Sequence, residues 1–375
     1  MDRPSLSLGI EEEYLIVDPE TRDLVAEPAA GFFADCRDAL GDQVSAEFLR
    51  CQVEVGTKPH RGVGAAVAEL GALRQTVARA AAAHGHAVIA ASTHPFARWL
   101  EQSQTPKARY DEISSQVGEP ANRMLICGMH FHVGVEDPDL RIRLMNQAAG
   151  WLPLLLALST SSPFWQGRDT RLACHRLTVM DALPRTGLPD PMASYAEYRA
   201  MVGRLVGAGC IEDATKIWWD IRLSDRFPTL EQRVTDVCPR LDDVAAIAAF
   251  YQSLLAFLYR RGHEGQPWPV LPRTLILENR WRAQRHGHAA RLFDLDRRDP
   301  PEMAVLVSEW IDLLAPDAEL LGCGHALEGL RRVAESGTSA TRQRAVYRDA
   351  LARGADEDAA LRAVVDHLID GFAGA

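Results

Sequence analysis

Alternating polar and apolar positions mark a segment in the middle of the chain that is typical of a β-strand. In residues 127–135, apolar side chains alternate with Gly128, His130, His132 and Gly134. Successive side chains of a strand point to opposite faces of its sheet, so the two histidines share one face with two glycines. Glycine leaves space for another group to approach the backbone. The pattern predicts a strand with one face in the core and the other in a polar cavity.

Three further strand-like segments carry carboxylates on their polar faces. Residues 8–16 place Glu11 and Glu13 on one face and Glu12 on the other. In residues 49–56, the polar face consists of Arg50, Gln52 and Glu54. In residues 230–237, it consists of Glu231, Arg233 and Thr235. If the four strands belong to one sheet, their glutamates, histidines and arginines meet on one surface. That surface would suit metal ions and phosphate groups.

The remaining pattern is mostly helical. We expect helices over about 29–40, 62–84 and 138–159, and a short buried strand at 87–91. The polar segment 101–120, with Lys107, Arg109 and Tyr110, is expected to cover the cavity as a loop and a helix. Residues 162–169 are expected to form a functional loop, and residues 217–222 a strand that pairs with the Glu231 strand.

Beyond residue 240 we expect helices to the end of the chain, interrupted at the arginine-rich residues 278–285. Strands separated by helices of uneven length indicate an α+β fold rather than a regular series of β-α-β units. We see no linker, repeat or low-complexity tract, and so predict one catalytic domain over residues 1–375. In it, the sheet and active site occupy about 6–240 and a mainly helical part about 240–375.

Composition limits the class of protein. The 375 residues are 47% hydrophobic and 25% charged, which is ordinary for a soluble globular protein. A net charge of -10 argues against nucleic acid as a partner. The most apolar run, residues 151–158, contains Pro153 and is far shorter than the ~20 residues of a membrane span. Neither a membrane partner nor a signal region at the N-terminus is expected.

The cysteines indicate a reducing compartment. There are seven, an odd number, and none forms a Cys-x-x-Cys pair. Scattered cysteines of this kind are typical of reduced, mostly buried thiols in a cytosolic protein. We therefore expect a cytoplasmic location.

Each polar motif also has a structural interpretation. The glutamates at 11–13 could form a solvated strand edge, His130 and His132 could be hydrogen-bonded structural histidines, and Glu231 with Arg233 could be a surface ion pair. These interpretations weaken together, because the same alternation occurs in all four strands. Exposed strand faces rarely mix glycine, histidine and glutamine with glutamate.

The candidate ligands favour a hard cation. Several carboxylates with an imidazole suit Mg²⁺ or Mn²⁺ better than structural zinc, which prefers closed sites of cysteine and histidine. The sequence contains no Gly-x-x-x-x-Gly-Lys-Ser/Thr motif, so a bound nucleotide would not be held by a P-loop. An ATP enzyme of this composition would join phosphates to carboxylates through metals and hold them with arginines.

These motifs together resemble the carboxylate–amine ligases of the type 2 glutamate–cysteine ligase-like family, which is related to glutamine synthetase. The resemblance covers nearly the whole chain. It rests on residues 9–13, 52–54, 92–96, 128–134, 162–170, 219–222, 229–236 and 279–280. The chain departs from the family pattern at Arg171, where glycine is usual, and at Cys174-His175 before Arg176. These departures concern the acceptor pocket rather than the metal site.

The resemblance implies a fold and a set of site residues. The fold is a curved, mostly antiparallel sheet of about six strands, flanked by helices, with the active site on its polar concave face. The implied ligands of Mg²⁺ (or Mn²⁺) are Glu11, Glu13, Glu54, His130 and Glu231. Arg233 would contact the γ-phosphate of ATP, with Glu54 and Glu231 beside it in catalysis, and Asn279 and Arg280 would also bind the nucleotide. Arg168, Arg176 and Arg222 are the candidates for substrate binding, and the role of His132 is left open.

The resemblance also implies a reaction. ATP would phosphorylate the γ-carboxylate of glutamate, and an amine such as that of cysteine would displace phosphate from the acyl phosphate. The family further suggests a homodimer.

Two alternative functions belong to other classes of protein. A zinc-dependent hydrolase could use the His-x-His strand, although the inward glutamates would then have no purpose. A non-catalytic binding protein on the same scaffold would have lost ligands, whereas every expected ligand position is filled.

Overall fold

The fold is built around one antiparallel sheet, seen here in a computed structural model that describes residues 3–293, 297 and 299–373. The strands are β1 (Leu8–Val17), β2 (Val44–Ala46), β3 (Gln52–Gly56), β4 (Ala87–Ile89), β5 (Met129–Gly134), β6 (Phe164–Trp165), β7 (Arg168–Asp169), β8 (Thr186–Gly187), β9 (Trp218–Trp219), β10 (Ile221–Leu223) and β11 (Thr229–Gln232).

Fourteen α-helices are present in the described residues. They are α1 (Ala30–Leu40), α2 (Val63–Ala83), α3 (Ala108–Val117), α4 (Glu119–Asn122), α5 (Pro138–Ala148), α6 (Leu152–Ser159), α7 (Arg176–Met180), α8 (Tyr195–Gly207), α9 (Leu241–His263), α10 (Arg273–His286), α11 (Met303–Leu321), α12 (Gly324–Ser336), α13 (Ser339–Ala352) and α14 (Glu357–Ala373).

The main sheet has seven strands in the order β10-β11-β5-β1-β3-β2, with β4 also pairing with β1. All of its pairings are antiparallel. The predicted α+β fold with a mostly antiparallel sheet is therefore confirmed, with one strand more than expected. The four segments chosen for their alternation, now β1, β3, β5 and β11, all lie in this sheet.

The helices bury one face of the sheet. Helix α9 contacts it directly, because Tyr251 donates a hydrogen bond to the carbonyl of Leu230 in β11. At the other end of the sheet, the ring of Phe372 in α14 packs edge-on against Tyr14 of β1 with centroids 4.9 Å apart. Burying each such side chain stabilises the fold by ~1.5–3 kcal/mol. The apolar positions of the strands thus fix which face turns to the core.

Glu12 lies on the core face, as the alternation of β1 predicted, and it is fully buried. Arg74 of α2 forms two hydrogen bonds to its carboxylate, of 2.9 and 2.8 Å, and Tyr14 donates a third of 2.6 Å. Arg74 also donates to the carbonyls of Cys238 and Pro239. The three glutamates at 11–13 are therefore not a solvated strand edge.

Two predictions about helices are wrong. Residues 138–159 do not form one helix, because a 3₁₀ turn at Ala149–Trp151 separates α5 from α6. Pro153 lacks an N–H and its ring would clash with the carbonyl four residues earlier, so it is favoured in the first turn of a new helix, which is its position in α6. Residues 278–285 do not interrupt the helical part. They lie within α10, and Arg282 pairs with Glu278 one turn away.

The loop predicted at 162–169 contains a small hairpin, in which β6 pairs with β7. The strand predicted at 217–222 is divided. Trp218 and Trp219 pair with β8 in a separate two-stranded sheet, whereas β10 pairs with β11 as expected. Strand β11 ends at Gln232, so Arg233 lies just beyond the sheet.

One helix in the described part of the chain, α9, is long and apolar enough to cross a membrane. However, 83% of its most apolar window is buried inside the protein, which is typical of a core helix. The prediction that named residues 151–158 as the most apolar run overlooked this longer helix.

Candidate active site

Strand register brings the predicted polar residues together on one face of the sheet. Glu11 of β1 is opposite His130 of β5, and Glu13 is opposite Glu54 of β3. On the other side of β5, His132 is opposite Glu231 of β11. Residues directly opposite each other in antiparallel strands have Cβ atoms ~4.5–5.5 Å apart. The alternation alone thus identified a real cluster of carboxylates and imidazoles.

The first group of candidate ligands combines Glu11, His132 and Glu231, whose ligand atoms all lie within 4.8 Å of one another. Nε2 of His132 is 3.3 Å from a Glu11 oxygen and 4.0 Å from a Glu231 oxygen. The other ring nitrogen, Nδ1, is 2.9 Å from the hydroxyl of Thr229. His132, whose role the sequence left open, therefore stands beside two predicted metal ligands.

His130 lies next to this group. Its Nδ1 is 3.6 Å from the other Glu11 oxygen, and its ring is 3% exposed. Burial lowers the pKa of His130 to about 3, so the imidazole is neutral at physiological pH. A Cβ on Gly128 would lie 2.8 Å from His130 Nε2 and 2.6 Å from an Arg176 nitrogen. Glycine at position 128 therefore leaves the space that the side chains of His130 and Arg176 occupy.

The second group consists of Glu13, Glu47 and Glu54, again within 4.8 Å of one another. Burial and the neighbouring Glu47 raise the pKa of Glu13 to about 7, and the same causes raise that of Glu54 well above its usual value. The main-chain N–H of Gly128 donates to Glu13 at 2.7 Å, and the hydroxyl of Ser45 donates to Glu54 at 3.1 Å.

Glu47 was missed in the sequence. It directly follows β2, a three-residue strand that was not predicted. The sequence does contain a strand-like pattern there, since Ser45 and Glu47 alternate with the apolar Val44 and Ala46. In the sheet Ser45 is opposite Glu54, so this short alternation extends the polar face by one strand.

These two groups fit hard divalent cations. Five of the six side chains are carboxylates, the preferred ligands of Mg²⁺ and Mn²⁺. The Nε2 atoms of His130 and His132 are buried and have no hydrogen-bond partner among the described residues. Burial and then the neighbouring carboxylates raise the pKa values of Glu13 and Glu54, and a cation bound between these groups would offset both effects.

Two predicted arginines border the first group. Arg222 holds Glu231 through two hydrogen bonds of 2.7 and 3.1 Å, and Arg233 also contacts that carboxylate. Burial alone would raise the pKa of Glu231, but Arg233, His132 and Arg222 hold it well below its usual value. Glu231 is thus a fully buried, ionised carboxylate, and its pair with Arg233 is not on the surface.

Arg176 supports the backbone that carries Arg233. Its guanidinium is buried and donates to the carbonyls of Arg233 and Val234 at 3.0 and 3.3 Å. It also lies 3.9 Å from Asp236, a buried carboxylate held by the N–H of Ser161 and the hydroxyl of Ser162. A contact of Arg176 with substrate stays a prediction.

Three other predicted residues lie outside both groups. Arg168 is exposed on the β6–β7 hairpin. In α10, the amide of Asn279 both donates to and accepts from the main chain of Phe293. Arg280 pairs with Asp220 and Asp181. Because the carbonyl of Asp220 accepts from the N–H of Arg233, Arg280 helps to position that residue. Nucleotide contacts of Asn279 and Arg280 stay predictions.

The segment expected to cover the cavity borders the second group. Lys107 and the hydroxyl of Tyr110 both donate to the carbonyl of Ala46, the residue before Glu47, at 2.6 and 3.2 Å. Burial and the carboxylates of Glu47 and Glu54 raise the pKa of Tyr110. As predicted, this segment is a loop followed by a helix, α3.

Comparison with known proteins gives three consistent results. Residues 7–367 match the model of glutamate–cysteine ligase family 2. A protein of Rhodospirillum rubrum named "putative glutamate–cysteine ligase 2" is 50% identical over 373 residues, covering 98% of this chain and 96% of its own. A protein of the same name from Ruegeria pomeroyi is 51% identical over 366 residues, covering 98% and 94%.

A similar fold also occurs in a solved structure. Glutamate–cysteine ligase from Francisella tularensis, in complex with AMP, superimposes with a TM-score of 0.70 at 15% sequence identity. The match covers 98% of this chain and 89% of that one. At this identity the similarity concerns the fold.

Proposed function

The chain belongs to glutamate–cysteine ligase family 2, and on this premise we propose that it joins the γ-carboxylate of glutamate to an amine such as that of cysteine. Its membership makes it a ligase of the ATP-dependent, glutamate–cysteine ligase-like kind. One observation carries the proposal. Two groups of acidic and imidazole ligands share one sheet face with the guanidinium groups of Arg222 and Arg233.

The two groups would hold Mg²⁺ or Mn²⁺. Glu11, His132 and Glu231, with His130 beside them, would form one site, and Glu13, Glu47 and Glu54 the other. When bound, such cations neutralise the phosphate oxygens of ATP. The protein side chains have separate tasks. Arg222 keeps Glu231 ionised and oriented, and Thr229 fixes the ring of His132.

In the proposed reaction, an oxygen of the substrate γ-carboxylate attacks the γ-phosphorus of ATP, and ADP leaves. The amine nitrogen then attacks the acyl carbon, a C–N bond forms, and inorganic phosphate departs as nitrogen loses its proton. Arg233 is the residue that we propose donates to the transferring phosphoryl group, whose charge is spread over its oxygens in the transition state. Holding the reactants in line can lower the barrier by ~7–11 kcal/mol.

The thiols near the sheet argue against a cysteine nucleophile. Cys51 and Cys127 lie just before β3 and β5 and are buried. Burial raises the pKa of Cys51 to about 12 and also raises that of Cys127, so neither forms the reactive thiolate at neutral pH. A mechanism with two successive displacements on the substrate requires no covalent enzyme intermediate.

The experiment is an assay of products. The protein is incubated with ATP, MgCl₂, glutamate and cysteine, and then with other acid–amine pairs, while mass spectrometry detects the condensed product. We expect ADP and inorganic phosphate in equal amounts with the product, and no turnover with EDTA. Release of AMP and pyrophosphate would overturn the acyl phosphate mechanism. Activity that needs zinc but not ATP would support the hydrolase instead.

The family resemblance and the cysteines support two further proposals, a homodimer and a cytoplasmic location. All seven cysteines are free, six of them buried. Light scattering on the purified protein tests the dimer.

A further inference from the structure

A cavity of about 270 Å³ lies beside the β10–β11 turn, away from the carboxylates. Leu223 of β10 lines it, whereas its neighbour Arg222 reaches Glu231 on the polar face. Because adjacent strand residues point to opposite faces, the cavity is on the helix-covered side of the sheet. Its other walls come from α5, α8, Ala214 and residues 224–228 of the turn. None of its lining residues belongs to either group of candidate metal ligands, although one of them, Phe227, contacts His132 of the first group.

Arg141 of α5 gives the cavity an incompletely paired cation. Its Nη1 donates to the carbonyl of Phe227 at 3.5 Å, while its Nε is buried and has no hydrogen-bond partner among the described residues. Partial burial lowers the pKa of Arg141, in agreement with the buried position of its Nε. Arg141 as a whole is half-buried, and leaving its buried Nε–H without a partner is costly. An anion in the cavity would remove that cost.

The carboxylates near Arg141 are engaged elsewhere. Glu136 accepts the N–H of Ser5 at 3.1 Å, and Asp137 caps α5 by accepting the N–H of Leu140 at 2.8 Å. In the cavity wall, Arg199 and Arg226 add two more positive charges, against one carboxylate, that of Asp225. The wall thus has an excess of two positive charges.

The same wall offers aromatic surfaces. The rings of Tyr195 and Tyr198 are stacked with centroids 6.0 Å apart and an angle of 25° between their planes. Phe227, which is 55% exposed, stands at the turn. Aromatic rings beside arginines bind planar groups by stacking and their charged substituents by hydrogen bonds. Small-molecule sites commonly occupy ~300–1,000 Å³, so this cavity suits a ligand with one ring.

We propose that this cavity binds a small aromatic anion, a single ring bearing a carboxylate or a phosphate. Arg141 donates to the anionic group through Nε and its terminal nitrogens, Arg199 and Arg226 add charge, and the ring lies against Tyr195, Tyr198 or Phe227. The edge of the Phe227 ring also meets the ring of His132, with centroids 6.2 Å apart, so an occupied cavity adjoins the active site through one side chain.

Calorimetric titration of the whole protein with phenyl phosphate and with benzoate tests the proposal, and it needs no turnover. Its outcome is therefore independent of the proposed ligase reaction. We expect saturable binding of at least one probe, and tighter binding than that of inorganic phosphate, which has no ring. The better of the two probes identifies the anionic group as a phosphate or a carboxylate.

The variants locate the bound probe. Arg141→Gln should weaken binding by about tenfold or more, because glutamine keeps an N–H but loses the charge. Arg199→Gln should also weaken it, and since Arg199 is exposed on α8 this variant should fold even if the first does not. Arg204→Gln, on an exposed residue of the same helix outside the cavity wall, is the matched control and should bind normally.

Glu11→Gln distinguishes the cavity from the active site and should also leave binding unchanged. Three results would overturn the proposal. They are a Kd weaker than ~1 mM for both probes, equal binding by wild type, Arg141→Gln and Arg199→Gln, and loss of binding in Glu11→Gln.

Discussion

At the scale of single residues, substitution of Arg233 gives the clearest test of whether a side chain acts in catalysis or only in the structure. Its guanidinium contacts Glu231 and its backbone is held by Arg176 and Asp220, so its position is defined from three sides. Lysine keeps the charge but cannot form two parallel hydrogen bonds to a phosphoryl group. We expect Arg233→Lys to fold normally and to lose at least ~10²-fold in kcat, as when one transition-state donor is removed.

Steady-state kinetics alongside thermal melts measure this effect. Arg204→Lys, a change of the same type on the exposed face of α8, is the control. A kcat near that of wild type in Arg233→Lys would show that Arg233 does not act on the phosphoryl group.

Glu12 and Glu13 are neighbours with opposite tasks. Glu12→Gln would leave Arg74 as a buried charge without its counterion, at a cost of ~3–5 kcal/mol. We expect its Tm to fall by several degrees while the folded protein keeps most of its kcat. Glu13→Gln removes one of three mutually repelling carboxylates, so its Tm should stay equal or rise while turnover is nearly abolished. Melts and kinetics on the two variants check this; equal Tm losses would contradict it.

At the scale of elements, alternation of side chains predicted what depends on local pattern. It identified β1, β3, β5 and β11. It also placed Glu12 on the other face of β1 from Glu11 and Glu13, because strand geometry alone decides which face a residue occupies. It did not reveal the break between α5 and α6 or the short strand before Glu47. Strand β2 has three residues, and an alternation this short is not distinguishable from chance. The break before α6 occurs close to Pro153, within a pattern that is otherwise helical.

The long-range contacts of the site could not be predicted from the sequence. Arg280 pairs with Asp220, sixty residues earlier in the chain, and Arg176 supports the carbonyl of Arg233. A motif shows that an arginine is present but not which carbonyl or carboxylate it meets after folding. For the same reason, the cavity beside the β10–β11 turn could not be predicted, since its walls come from four separate segments.

His94 joins two loops in a way that makes stability depend on pH. Its Nε2 meets the carbonyl of Arg22 at 2.9 Å, while Nδ1 accepts the N–H of Ala97 at 2.9 Å and that of Phe96 at 3.3 Å. Nε2 donates to the Arg22 carbonyl in either protonation state, but Nδ1 can accept only when the ring is neutral, and burial lowers the pKa of His94 to about 4. The unfolded chain takes up this proton near pH 6.5. His94 therefore contributes stability above that pH that is lost as the pH falls towards 4.

Denaturant unfolding at pH 7 and pH 5 measures this contribution. From pH 7 to pH 5, we expect protonation of His94 in the unfolded chain to lower the free energy of unfolding by about 2 kcal/mol. His94→Asn keeps an acceptor in the position of Nδ1 but does not titrate, so its dependence on pH should be flatter. The same slope in both proteins would show that other groups are responsible.

At the scale of the whole molecule, the candidate metal ligands connect strands that are far apart in sequence. Glu11 and Glu13 lie on β1, Glu54 on β3, His132 on β5 and Glu231 on β11. Glu47, just after β2, extends the set to a fifth strand. Cations bound to both groups would therefore cross-link most of the sheet, and would oppose the repulsion that adds to burial in raising the pKa of Glu13 and Glu54.

A ligand that binds only the folded state stabilises it by mass action, by ~2.7 kcal/mol at one hundred times its Kd. Unfolding entropy of about 2.1 cal/mol/K per residue then converts this into a rise in Tm of about 3 °C for a chain of this length. We expect that rise when EDTA-treated protein is melted with saturating MgCl₂, compared with NaCl of equal ionic strength. Glu54→Gln should reduce it, whereas Arg204→Gln should not. If Mg²⁺ and Mn²⁺ both leave the Tm unchanged, these carboxylates do not form a cation site in the absence of ATP, and the nucleotide must supply ligands that the sheet lacks.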